Sequence, residues 1–286
     1  MDIRGKAFVL INIVPNDLYL IMDYGPKRII CLTEETTETL YLLGESARIV
    51  GISKYTVRPH RAPSEKPKVS AFLDANIEDI LALQPDLVIG FSDIQAGIAK
   101  QLIEKGITVW INNHRSVQGI LDMIVQLGGL VGKRDRALEL VHGIKTNMDG
   151  IQQEAHEWNS KPKVYFEEWF DPIIFGIQWV SELIEIAGGI DIFKDRTSSL
   201  AKGRIIEDHQ EIVRRDPDII LASWCGKRFK KKHMLQRKNW NQIRAVKTDF
   251  IQEIPSEIIL QPGPAALTEG LPLLHQIIKD WKDSRG

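Results

Sequence analysis

The chain is poor in cysteine. Cys31 and Cys225 are the only two in 286 residues, too few for a disulfide framework, so stability has to come from packing. It lacks charge of one sign, with 37 basic residues against 38 acidic ones and a net charge of −1. That balance excludes the broad basic footprint of a nucleic-acid binder or of a protein held to anionic membranes. No apolar run is long enough to span a bilayer, so the chain is not membrane-embedded. No low-complexity tract is present, which rules out a collagen, a disordered tail or a scaffold of repeats. What remains is an ordinary globular composition, 43% hydrophobic and 26% charged, on a length that suits two cores.

The usual catalytic signatures are missing as well. Gly128-Gly129-Leu130-Val131-Gly132-Lys133 has the wrong spacing for a Walker loop and ends in Arg134. No G-x-G-x-x-G follows a strand. Gly90-Phe91-Ser92-Asp93-Ile94 begins like a nucleophile elbow but lacks its second glycine. No zinc-ligand spacing occurs, and the seven histidines are scattered. Residues 227–233 are strongly basic and could attract an anion, but in a chain of near-neutral charge they read rather as a solvated loop or helix face.

At the start, a short apolar run over residues 7–14 is broken by Asn12, followed by Pro15-Asn16-Asp17, and lacks a small-x-small cleavage site. The missing cleavage signal favours a cytoplasmic over a periplasmic location. The regular pattern begins near Lys27, so residues 1–25 read as an N-terminal extension and Met22 is a possible native start.

Beyond Lys27, β-branched runs alternate with amphipathic segments. Arg28-Ile29-Ile30-Cys31-Leu32 reads as a buried strand, followed by a helix that opens on Thr33-Glu34-Glu35, a capping hydroxyl with carboxylates in the positive first turn, and stops at Gly44. Further strands are expected at 49–52, 87–89 and 109–111, with helices at 77–83 and 94–105. The same grammar returns after residue 160, with strands at 163–166, 218–221 and 249–252 and a helix at 180–187. Ile80-Leu81-Ala82-Leu83-Gln84-Pro85-Asp86-Leu87-Val88-Ile89 nearly superimposes on Ile212-Val213-Arg214-Arg215-Asp216-Pro217-Asp218-Ile219-Ile220-Leu221. This is α/β grammar with parallel sheets. It predicts an N-terminal lobe over 26–130 and a C-terminal lobe over 160–286. Residues 133–158 form a proline-free helical stretch, so the linker region 131–159 reads as a rigid connector; the alternative is a crossover helix inside one large sheet.

Ligands of open α/β sheets collect at the carboxyl ends of strands. Here those ends carry Thr33-Glu34-Glu35, then Tyr55, Arg58 and His60, then Phe91-Ser92-Asp93, then Glu167-Glu168-Trp169, then Ser223-Trp224-Cys225-Gly226-Lys227. Trp179 precedes a helix, and Gln261-Pro262-Gly263-Pro264 forms a rigid late loop. Large flat side chains at loop positions in both halves suit a large planar ligand or, alternatively, the packing of one lobe on the other.

These segments resemble the cobalamin-type substrate-binding proteins, within the helical-backbone metal-chelate receptors of ABC importers. The resemblance runs from Lys27 to about Trp281. It rests on Glu38-Thr39-Leu40-Tyr41-Leu42-Leu43-Gly44, on Ile49-Val50-Gly51-Ile52-Ser53, on residues 76–88, and on Leu183-Ile184-Glu185-Ile186-Ala187-Gly188-Gly189. Phe166-Glu167-Glu168-Trp169 and residues 223–227 are similar to a cobalamin-binding subgroup that often lacks an export signal. The resemblance implies two Rossmann-like lobes bridged by one long α-helix, a non-catalytic role, no intrinsic cofactor, and cobalamin or another corrinoid held between the lobes. Haem or a ferric siderophore as ligand, or an enzyme acting on a metal tetrapyrrole, are the alternatives. Phe72, Phe91, Trp169, Trp179 and Trp224 would supply contact area. Arg58, Glu167, Glu168 and Gln261 would bind amide edges. Cys225 is either an axial thiolate or an inert loop residue. Glu78 and Glu185 match positions that dock relatives onto an ABC permease.

Overall fold

A computed structural model describes residues 25–196 and 200–285. The N-terminal extension up to residue 24 therefore lies outside the described residues.

Two separate sheets form, and no strand pairing joins them among the described residues. The first contains β1 (Ile29–Cys31), β2 (Ile49–Ser53), β3 (Lys68–Ser70), β4 (Leu87–Phe91) and β5 (Val109–Asn112). Its order is β3-β2-β1-β4-β5, and every neighbouring pair is parallel. Interleaved are α1 (Glu34–Leu42), α2 (Ala62–Glu65), α3 (Ile77–Ala82) and α4 (Ala96–Glu104). β1 is buried at every residue because helices cover both faces of a parallel sheet. Ile29 and Cys31 belong to the central core, while Ile30 and Leu32 face an outer cluster with Val88 and Leu102, the two-residue period of a strand.

A helical hairpin follows, α5 (Val117–Leu130) and α6 (Arg134–His156). At Gly128 a Cβ would lie 2.4 Å from that of Ala137, so glycine is what lets the two helices come this close. α6 has 23 residues, about 35 Å at 1.5 Å per residue, and matches the expected connector within two residues at each end.

The second sheet contains β6 (Lys163–Phe170), β7 (Ile173–Phe175), β8 (Ile190–Asp191), β9 (Ile219–Ala222) and β10 (Ile251–Glu253). β6, β9 and β10 run parallel, and β7 returns antiparallel along the far end of β6. Helices α7 (Gln178–Ile186), α8 (Gln210–Arg215), α9 (Lys231–Leu235), α10 (Arg244–Lys247) and α11 (Leu271–Asp283) complete the lobe.

One apolar core threads both lobes. It joins Ile29 and Ile124 to Ile144 on the connector and to Val164, Leu183 and Leu274 beyond it. α11 clamps the connector: Lys279 pairs with Glu154 at 2.8 Å, and His275 stacks on Trp158 with centroids 5.0 Å apart. Such shared packing resists hinge motion. No described helix is long and apolar enough to cross a membrane.

Two local expectations need correction. Thr33 occupies the N-cap of α1, yet its hydroxyl caps no backbone N–H. It donates instead to the Glu35 carboxylate, which is buried and has no solvent to turn to. The helix expected at 180–187 begins earlier, at Gln178, which brings Trp179 into its first turn.

Candidate functional site

In the first sheet the strand order reverses between β1 and β4, the point where an open parallel sheet leaves a crevice. The β1 end leads into Glu34, Glu35 and Glu38 on one face of α1. All three are buried. Glu34 accepts hydrogen bonds from the backbone N–H of Val57 and Arg58. Glu38 accepts from Arg58 Nε at 3.0 Å and from the Ala265 N–H at 3.1 Å. Arg58 also pairs with Glu269. Since Ala265 and Glu269 belong to the C-terminal lobe, this network ties the lobes together. Burial pushes the carboxyl pKa of Glu34 and of Glu35 up to about 7 and raises that of Glu38 as well. Sequence reasoning found Glu34 and Arg58 and placed Glu35 at the same strand end, but missed the part of Glu38 and Glu269; a carboxylate at the fourth position after Glu34, hence on the same helical face, was the available signal for Glu38.

The β4 end carries Phe91, 8% exposed, against His114 in an edge contact at 5.4 Å. Arg115 lies over the other part of this cluster, its guanidinium 4.8 Å from the Phe91 centroid and 3.6 Å from Asp93. Burial lowers the pKa of Arg115, and both Arg204 and Glu168 of the opposite lobe act on it electrostatically. Charges at the β6 end of one lobe are thus felt at the β5 end of the other. His114 Nε2 donates to the Pro262 carbonyl at 3.1 Å, which closes the flank next to it. Tyr55 and Phe72 are 61% and 37% exposed at the ends of β2 and β3.

In the C-terminal lobe, alternation along β6 splits the adjacent glutamates. Glu167 points inward and is 0% exposed. Its carboxylate accepts from Arg237 twice, from Trp224 Nε1 at 3.2 Å and from the Tyr165 hydroxyl at 2.9 Å. Its capacity is spent on the protein, and it has no oxygen left for a ligand amide. Burial, with Glu167 adjacent, holds the Tyr165 hydroxyl well above its ordinary pKa. Glu168 points the other way, is half-buried, and forms a two-pronged pair with Arg204.

Trp169 and Phe170 follow as a half-buried aromatic pair with centroids 5.1 Å apart. Phe170 packs on Trp224 at 4.6 Å, and Trp224 on Phe229 at 5.1 Å. Trp169 is fastened by its Nε1–H to the Asp171 carbonyl. The result is an aromatic platform at the carboxyl end of the second sheet, with Trp224 as its buried base and Trp169 and Phe170 as its accessible surface. Lys227 from the loop after β9 lies over Trp169 at 5.0 Å and Phe170 at 5.2 Å. Phe170, Arg115 and Arg204 were not foreseen. Phe170 extends the Glu168-Trp169 motif by one residue, whereas the two arginines are brought in from distant segments.

The other sequence candidates divide. Trp179 is 2% exposed, sits in the central core and donates its Nε1–H to the Ile259 carbonyl at 2.9 Å. It ties α7 to the Ile259 segment of the same lobe and offers no ring face to a ligand, because the earlier start of α7 turns it inward. Gln261 is partly exposed, in the loop whose Gly263 presses on Glu35; a Cβ at Gly263 would come within 2.4 Å of the Glu35 Cβ. Cys225 is exposed, and partial desolvation together with the Glu168 charge raises its thiol pKa, which opposes the thiolate form. Among the described residues, no group of three or more His, Cys, Asp or Glu is arranged to hold a metal ion. Glu78 is exposed in the first turn of α3, where Asn76 caps the helix. Glu185 is partly exposed on α7 and pairs with Lys194.

Known proteins share this architecture. An ABC transporter substrate-binding lipoprotein of Bacillus subtilis is 26% identical over 262 residues, 88% of this chain and 80% of that one. A vitamin B12-binding protein of Vibrio cholerae is 26% identical over 271 residues, 93% of each. The crystal structure of a possible iron-binding periplasmic solute-binding protein from Staphylococcus epidermidis aligns with a TM-score of 0.75 at 25% identity, covering 88% of this chain and 98% of that one. The model of the periplasmic binding protein family matches residues 29–258, and with two parallel-sheet lobes on one helical connector the chain belongs to that family of non-catalytic substrate-binding proteins.

Proposed function

We propose that this chain binds a corrinoid between its lobes and delivers it to an ABC permease. The observation that carries the ligand reading is the Trp169–Phe170 platform at the end of β6, with Arg115, seated over the buried Phe91, on the opposite lobe. A flat macrocycle gains contact area on aromatic faces, and its polar rim finds charged partners around them. A relative of similar length is named a vitamin B12-binding protein, which supports a corrinoid ahead of an iron chelate. Glu168, Arg115, Tyr55 and Phe72 are the further contacts in this reading; Glu167, Trp179 and Trp224 support the site from behind. Glu78 and Glu185, one from each lobe, would meet the permease.

Native mass spectrometry with cobalamin, haemin and a ferric siderophore tests the ligand. One cobalamin per chain, with quenching of tryptophan emission, is the expected result. A folded sample that takes up haemin or the siderophore and no cobalamin would refute it.

A further inference from the structure

Lys227 is the structural oddity of this opening. The loop that carries it leaves β9 at Ser223 and turns sharply at Gly226, whose φ of +70° lies in the left-handed region. The Lys227 N–H donates to the Trp224 carbonyl at 3.0 Å. This turn lays an exposed lysine across the two accessible rings of the platform, 5.0 Å from Trp169 and 5.2 Å from Phe170. Among the described residues its ammonium forms no ion pair. Glu168, the acid next to Trp169 in the chain, is already engaged by both prongs of Arg204.

A planar ligand cannot rest on Trp169 and Phe170 while an ammonium occupies the same faces. On binding, Lys227 must give up its cation–π contacts. Moving to solvent compensates that loss only in part; pairing with an anion on the ligand's edge compensates it fully and adds a charge-assisted bond. A ligand with such an anion therefore binds with the lysine's help, and one without it binds against the lysine. On the facing lobe, Arg115 adds positive charge of the same sense.

We propose that Lys227 selects for planar metal chelates that carry an anionic group at their edge: the phosphodiester of a complete corrinoid in preference to a truncated corrinoid lacking it. This rests on the corrinoid reading above. The carboxylates of a haem share the same chemistry, so haemin forms a separate arm of the test.

The experiment titrates cobalamin, cobinamide (which lacks the phosphodiester) and haemin into the full chain and into Lys227→Gln and Lys227→Arg, reading tryptophan quenching and calorimetry. The native protein should prefer cobalamin to cobinamide by roughly tenfold or more, the range of one charge-assisted hydrogen bond. Lys227→Gln should erase that preference, lowering cobalamin affinity and leaving or raising cobinamide affinity, while Lys227→Arg keeps it. Raising ionic strength should narrow the preference in the native protein and in Lys227→Arg, with nothing to narrow in Lys227→Gln. Equal losses for both corrinoids, or no change in either, would overturn the role of Lys227 and leave the corrinoid reading standing. Uptake of haemin alone, weakened by Lys227→Gln, would overturn the corrinoid reading and support anion selection. No binding by folded protein would overturn both.

Discussion

Replacing Glu35 by glutamine should stabilise this protein at alkaline pH and do almost nothing at acidic pH. Glu35 is 1% exposed. One carboxyl oxygen accepts from the Thr33 hydroxyl, and the other has no hydrogen-bond partner among the described residues. Gly263 from the opposite lobe covers it. Burial lifts its pKa from 4.5 to about 7. Between those values the folded protein keeps a proton that the unfolded chain releases. Stability is therefore complete below the unfolded pKa, falls as pH rises through the folded pKa, and levels off above it. A displacement of that size corresponds to about 3 kcal/mol. Glutamine keeps the oxygen that Thr33 addresses and never ionises, so it escapes this loss. Its removal of one negative charge also eases ionisation of Glu34, on which Glu35 acts. Urea unfolding at pH 4.5 and pH 8, followed by tryptophan fluorescence, should give a difference near zero at the lower pH and about 3 kcal/mol in favour of the variant at the higher. In thermal melts the gain at pH 8 is about 5 °C for a chain of this size. A difference independent of pH would refute the reasoning, as would a variant less stable than the native protein at pH 8.

Arg237→Ala leaves the fully buried Glu167 carboxylate without its two-pronged partner and should cost about 3–5 kcal/mol in chemical denaturation; a loss below about 1 kcal/mol would show that Trp224 and Tyr165 satisfy it without Arg237. Trp169→Ala should weaken ligand binding by about 1–3 kcal/mol with little change in melting temperature. Trp179→Ala should instead cost about 3–5 kcal/mol of stability, and calorimetry beside thermal melts would separate the two. Gly263→Ala should destabilise by about 1–3 kcal/mol through overpacking on Glu35, and an unchanged melt would show that the loop can retreat. Glu78→Ala combined with Glu185→Ala should weaken capture by the cognate permease at unaltered ligand affinity, the double change being needed because exposed pairs are worth under about 1 kcal/mol each.

The alternation of strands and helices was legible because burial on both faces of a parallel strand writes itself as a short apolar run, as in Arg28-Ile29-Ile30-Cys31-Leu32 and Asp218-Ile219-Ile220-Leu221. The connector was legible because a helix exposed along much of its length keeps a clear period without proline. The short edge strands β3, β7 and β8 were missed; two or three residues are too few to show a period. Glu168 and Trp169 could be placed at a strand end, since strand ends follow from local pattern.

Which side chain faces a ligand could not be read locally. Glu167 and Glu168 are neighbours of one residue type, and only the pairing of β6 with β7 and β9 sends one into a buried Arg237 clasp and the other to a half-buried pair with Arg204. Trp179 and Trp169 are likewise the same residue near segment ends, yet the register of α7 buries the first under Ile259 while the β6–β7 turn leaves the second open. Sequence alone thus determined the lobes, the connector and the strand ends where chemistry gathers, because those depend on short-range periodicity. The tertiary structure decided which groups are spent on the protein and which remain for a ligand, because hydrogen-bond capacity and burial are set by partners tens or hundreds of residues away, as Arg58 with Glu269 and Glu38 with Ala265 illustrate.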